Sequence, residues 1–123
     1  MPVLRYEDAP EFQLLGISVR GLASPSRGAH ETVMYRVILA PGDELPRHHH
    51  DHEEVFHVLS GTLTAFLDGD PIPVDEGDTV MIPPGVAHHA VAGDDGAQVL
   101  AVLPTGAVMI RPDGQRLRPP WAE

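Results

Sequence analysis

A chain of 123 residues is enough for one domain with its own core, and it contains no cysteine, which excludes disulfides, thiolate metal ligands and a thiol nucleophile. Eighteen acidic residues against eight basic ones give a formal charge of −10, the wrong sign for a phosphate backbone. All eight basic residues are arginine, so Schiff-base chemistry and a P-loop lysine are excluded as well.

The opening stretch, "MPVLRYEDAPEF", mixes charge with proline and lacks the apolar core of a signal peptide. No apolar run approaches the roughly 20 residues of a membrane-spanning helix. The expectation is a soluble, cytoplasmic protein of one domain, residues 1–123, with neither nucleic acid nor membrane as partner.

Twelve glycines and thirteen prolines punctuate the chain in turn-like clusters, among them "APGD", "DEGD", "IPPG" and "RPDG". Between them lie short runs of valine, isoleucine, leucine and threonine, an all-β rhythm with little helix. In "ETVMYRVILA" the residues Val33, Tyr35, Val37 and Leu39 alternate with Met34, Arg36 and Ile38, as on a strand with two unlike faces. "VFHVLSG", "TLTAFLDG", "TVMIPPG", "AHHAVAG", "AQVLAVLPTG" and "AVMIRPDG" follow as further strands, and the count comes to nine or ten, as in a sandwich or barrel. Asp68-Gly69 marks a tight hairpin, because Gly69 can take a positive φ. The tail "RPDGQRLRPPWAE" reads as an extended strap whose Trp121 covers apolar surface, or else as a lid or a dimer contact.

Chemistry concentrates in "RHHHDHEEVFHV", Arg47 to Val58, with five histidines and two glutamates. On a strand His48 and His50 share a face with Cα atoms roughly 6.6 Å apart, while Arg47 and His49 point the other way. Two such imidazoles can converge on one metal ion at about 2.1 Å from each nitrogen. A carboxylate from the next strand, Glu53 or Glu54, supplies a third corner, and His88 after the turn in "IPPGVAHH" supplies a fourth.

With these spacings the chain resembles the cupin superfamily. "GDELPRHHHDHEEVFHVLSG", Gly42 to Gly61, fits the first cupin motif at every specified position and selects Glu54 over Glu53. "GDTVMIPPGVAHHAVA", Gly77 to Ala92, fits the second at Gly77, Pro83, Gly85 and His88, with Ala92 where the motif has asparagine. The resemblance implies a double-stranded β-helix, a jelly-roll barrel, holding a divalent metal on His48, His50, Glu54 and His88. Iron, manganese, nickel, copper and zinc all suit three imidazoles and a carboxylate. It also implies a homodimer.

The activity expected first is a dioxygenase-type oxidation of a small organic substrate at this 3-His-1-Glu centre. The alternatives are a metal-dependent isomerase or cyclase, with Glu44, Tyr35 or His52 as candidate base, and a binding protein without turnover. Phe56, Val58, Phe66, Met81 and Ala90 are the expected pocket lining, or barrel core. His49, His52, His57 and His89 are expected to serve structure, interface or rim rather than the metal. No Gly-x-Ser-x-Gly elbow surrounds any of the four serines.

Overall fold

The alternation read in residues 31–40 is present in three dimensions. In the computed structural model, which describes residues 3–123, Val33, Tyr35, Val37 and Leu39 are buried while Met34, Arg36 and Ile38 are only half-buried. Met1 and Pro2 lie outside the described residues.

Ten strands are present among the described residues: β1 (Glu11–Leu14), β2 (Ile17–Ala23), β3 (Thr32–Leu39), β4 (Glu44–His50), β5 (Glu54–Leu67), β6 (Asp70–Val74), β7 (Thr79–Ile82), β8 (His88–Pro104), β9 (Met109–Ile110) and β10 (Arg116–Leu117). Helix is confined to three single 3₁₀ turns. All pairings are antiparallel, in the order β1-β2-β3-β8-β4-β9-β10, with β5 pairing β6, β7 and β8. The sheet curls into the jelly-roll barrel expected from the motifs.

Two long strands organise this barrel, where the sequence suggested four short ones. "VFHVLSG" and "TLTAFLDG" are one strand, β5, and "AHHAVAG" and "AQVLAVLPTG" are one strand, β8. Their shared ladder shifts register at Val58/Ser60 and Gly61/Leu63 and carries on. Gly61 and Gly96 have φ of 77° and 72°, so a glycine that looks like a strand end instead bends a continuous strand. β8 pairs β4 through its first residues and β3 through its last.

The core lies between the curled faces, centred on Val58 and Val99, both fully buried. Side chains of this size each contribute about 1.5–3 kcal/mol when removed from water. The tail turns back in a 3₁₀ turn at Pro120–Ala122, not as a strap extended to its end. Trp121, 7% exposed, packs its ring against Tyr35 (5.9 Å between centroids) and Phe12 (6.3 Å) and seals one end of the barrel.

Candidate metal centre

Three strands deliver the four candidate ligands. His48 on β4 lies directly opposite His88, the first residue of β8, a pairing that holds Cβ atoms within about 5 Å. His50 follows two residues later on the same face, with its ring 4.8 Å from that of His48. The chain then bends through Asp51, His52 and Glu53, and Glu54 opens β5 buried, while Glu53 is exposed. The choice that spacing alone left open is thereby made by burial.

Two of the rings are fixed from behind. His48 Nδ1 donates to the Pro46 carbonyl at 2.8 Å and His88 Nδ1 to that of Val86 at 2.9 Å. A carbonyl can only accept, so both rings carry their proton on Nδ1 and present the Nε2 lone pair a metal ion needs.

What those lone pairs face is unbalanced without a cation. Glu54 Oε2 stands 3.0 Å from His50 Nδ1 and 3.4 Å from His88 Nε2, yet all three atoms are buried with no hydrogen-bond partner. Each such orphan costs about 1–3 kcal/mol. The four ligand atoms lie within 4.8 Å of one another. Ligands at about 2.1 Å around one ion stand about 3 Å apart when adjacent and about 4.2 Å when opposite. The cluster is thus a few tenths of an ångström per side chain from coordination distance, and it is arranged to bind a metal.

At His48 and Glu54 protonation favours the same role. Burial lowers His48 to about 4, helped by neighbouring His88, so this ring is neutral near pH 7. Burial would raise Glu54, but His50 and His88 outweigh it and bring the carboxyl to about 2. At His88 burial works downward and the Glu54 carboxylate more than offsets it, leaving the ring raised.

His48, Glu54 and His88 open onto a cavity of about 660 Å³ whose walls include Val37, Phe56, Val80 and Ile82, with Trp121 at its end. Glu54 is the sole carboxylate among its lining residues. Tyr35 also lines it, and its hydroxyl is pushed well above its ordinary range by burial and then by the Glu54 charge, so it stays protonated.

Several expected neighbours stand elsewhere. Phe56 and Ala90 line the cavity, but Val58 belongs to the core. Met81 alternates outward between Val80 and Ile82 and is 59% exposed; Phe66 alternates outward from Ala65 and stacks on His89 at 4.4 Å. Arg47, expected to point away with His49, lines the cavity because a β-bulge between Leu45 and His48 breaks strict alternation. Of the candidate bases only Tyr35 reaches the cavity. The Glu44 side chain is 63% exposed beside His89, and His52 is exposed on Asp51 at 2.8 Å. His57 bonds Thr79 Oγ1 at 2.8 Å, and His49 sits opposite Ile110 in the β4–β9 ladder.

The side chain of Ala92 is in the core, and its backbone N donates to Asp43 O (2.9 Å) while its O accepts from Gly42 N. The position where the motif has asparagine is therefore held by backbone pairing. Sequence reading missed Arg111 and Leu15 on the cavity wall; β9 is two residues long and the β1–β2 turn carries no usual turn residue at its first position, so neither had a signal.

A family model for the cupin domain matches residues 35–103. The chain is a cupin. Among its relatives, the protein SchB of Streptomyces halstedii is 31% identical over 114 residues, 90% of this cupin and 81% of SchB. Polyketide synthase CurC of Streptomyces cyaneus is 32% identical over 88 residues, 69% of this cupin and 57% of CurC. Quercetin 2,3-dioxygenase of Bacillus subtilis is 30% identical over 66 residues, 53% of this cupin and 20% of the dioxygenase. Among solved structures, the polyketide cyclase RemF from Streptomyces resistomycificus superposes with a TM-score of 0.77 at 24% identity, covering 87% of this cupin and 81% of RemF, a likeness of fold.

Proposed function

We propose that this cupin is a metal-dependent oxidoreductase of dioxygenase type, acting on a planar organic substrate whose neighbouring oxygens chelate an ion held by His48, His50, Glu54 and His88. The observation that carries the reading is the cavity itself: its only carboxylate and its two oriented imidazole lone pairs belong to the ligand cluster, and most of what surrounds them is apolar. With Tyr35 held protonated and His89, the one histidine on the walls outside the ligand cluster, stacked on Phe66, the chemistry is left to the metal centre. The similarity to quercetin 2,3-dioxygenase supports this reading.

A bound divalent ion would supply Lewis acidity and, if redox-active, a path for electrons between chelated substrate and dioxygen. The residues do the rest. Pro46 and Val86 carbonyls hold His48 and His88 in the ligating tautomer. Glu54, ionised above about pH 2, supplies the one negative charge among the ligands. The apolar walls keep bulk water from the reacting atoms.

A second reading, cyclisation of a polyketide-like substrate without oxygen, is favoured by the similarity to CurC and by the Tyr35 hydroxyl as a donor toward a substrate carbonyl. One experiment separates them. Protein loaded in turn with iron, manganese, nickel, copper and zinc is given flavonols, catechols, enediols and thiols in an oxygen electrode, and polyketide-like polycarbonyl compounds in parallel under nitrogen. Oxygen uptake that stops in Glu54→Met supports the oxidoreductase. Turnover that proceeds equally under nitrogen replaces it with the cyclase, and tight binding with unchanged recovery of every compound replaces both with a binding role.

A further inference from the structure

Charge is distributed oddly around the cavity. The chain carries 18 acidic residues against eight arginines, yet the cavity lining holds two arginines, Arg47 and Arg111, and no carboxylate apart from the buried Glu54. The other arginines near acidic groups are paired: Arg20 with Glu11 at 3.6 Å and Arg116 with Asp51 at 3.8 Å. Arg47 and Arg111 are exposed and have no carboxylate partner among the described residues, Arg111 making one side-chain hydrogen bond, from Nη1 to Gln115 Oε1 at 3.2 Å.

The backbone directs both toward one place. Arg47 occupies the β-bulge immediately before His48. The β4–β9 ladder pairs His49 with Ile110 and His50 with Met109, so Arg111 leaves the end of the ladder on the His48 side, where both residues line the cavity. Two guanidinium groups without a carboxylate partner therefore stand by the histidine at the entrance of a largely apolar cavity, in a molecule whose net charge is −10.

We infer that the molecule this cavity takes carries a carboxylate, held at the mouth by Arg47 and Arg111 while its apolar body fills the interior. The inference rests on the reading of this cavity as the substrate's, and not on the metal. A guanidinium fork matches a carboxylate in two parallel bonds, and an unpaired pair needs no existing ion pair broken to make them. A neutral substrate of the same shape would keep the apolar contacts and lose the anchor.

The test uses metal-free protein and the fluorescence of Trp121, the only tryptophan, which lies on the cavity wall. The protein is titrated with 6-hydroxy-2-naphthoate and, separately, with its neutral methyl ester. The naphthoate is expected to bind at least threefold more tightly, with a preference that shrinks as salt rises. In Arg47→Gln/Arg111→Gln the two affinities should converge while that of the ester stays as in the wild type, and Arg47→Lys/Arg111→Lys, which keeps the charge without the fork, should retain only part of the preference. A wild-type preference below threefold, a preference the glutamine pair keeps, or no naphthoate binding at millimolar concentration would each overturn the inference. Because no metal is present, a failed metal reading leaves this result intact and is seen separately in metal content.

Discussion

Glu54→Met should make the metal-free protein more stable and the metal-loaded protein less stable, each against the wild type under the same condition. In the metal-free wild type three buried atoms, His50 Nδ1, Glu54 Oε2 and His88 Nε2, face one another without hydrogen bonds. Methionine has nearly the volume of glutamate and no charge to bury. Its introduction removes one orphan and the desolvated carboxylate. Replacing buried charge by an apolar side chain of similar size is commonly neutral or stabilising by about 1–4 kcal/mol.

The pH must be chosen with the sign in view. Because Glu54 raises His88 in the folded protein, that pair stabilises below the ordinary histidine value of 6.5 and its contribution is lost as pH rises through the folded value. At pH 9, well above the ordinary histidine value, that contribution is at its smallest and the cluster at its most costly. There the metal-free variant is expected to gain about 1–3 kcal/mol, and at about 4 °C per kcal/mol for a chain of 123 residues this is a shift in Tm of roughly 4–12 °C. Adding metal at a hundred times its Kd stabilises the wild type by about 2.7 kcal/mol and the variant far less, so the order inverts. Differential scanning calorimetry at pH 9 with chelator and then with zinc reads both. A metal-free variant less stable than the wild type by more than about 1 kcal/mol would refute the reasoning, for the cluster would then be a self-sufficient polar network.

Three further outcomes follow from local geometry and a fourth, the oligomeric state, from the cupin resemblance. Gly61→Ala should prevent folding or lower Tm by well over 10 °C, since its Cβ would run into the Gly96 carbonyl oxygen at a φ of 77°, whereas Gly77→Ala, with φ 89° and open space around it, should cost about 1 kcal/mol in thermal melts. Leu15→Asn should raise Tm by a few degrees, because Leu15 holds φ 50° in the β1–β2 turn, a conformation that costs most side chains about 1–2 kcal/mol and asparagine less; a lower Tm would show that the exposed leucine contributes contacts of its own. Acid should weaken the metal-free protein between about pH 6.5 and 4, because His48 resists protonation when folded, so the stability it contributes is present above 6.5 and lost as pH falls toward its lowered value; urea titrations across that range check it, and His48→Gln should flatten the profile. A homodimer is expected in solution, and a monomeric mass by light scattering at micromolar concentration would contradict it.

The candidate site was legible because its determinants are local in sequence. His48 and His50 need only strand alternation, and a three-residue bend is enough to bring Glu54 back to them. His88 is far along the chain, but its position after Pro83-Pro84-Gly85 fixes where β8 begins, and the ladder then places it opposite His48. What could not be read is whatever depends on register. Arg47 joins the cavity through a bulge that no residue type announces, and Phe66 and Met81 fall on the outer face by a single step of a period-two pattern. Gly61 looked like a strand end because the residues alone do not say whether a positive φ ends a ladder or bends it.

The two tight hairpins show most plainly where sequence signal stops. Asp68-Gly69 joins β5 to β6 with φ of 49° and 87°, and the pair was readable because aspartate and glycine both tolerate the left-handed region. Leu15-Gly16 joins β1 to β2 with φ of 50° and 84°, the same turn built on a residue that disfavours it. The difference lies in position. Asp68 stands at the barrel's outside, whereas Leu15 is 82% exposed on the rim of the cavity, where an asparagine would offer polar surface to whatever enters. Leu15 keeps a strained turn at the rim of the cavity rather than the polar residue that would relieve it. The N-terminal hairpin thus belongs to the cavity wall as much as to the barrel, and neither cupin motif reaches it.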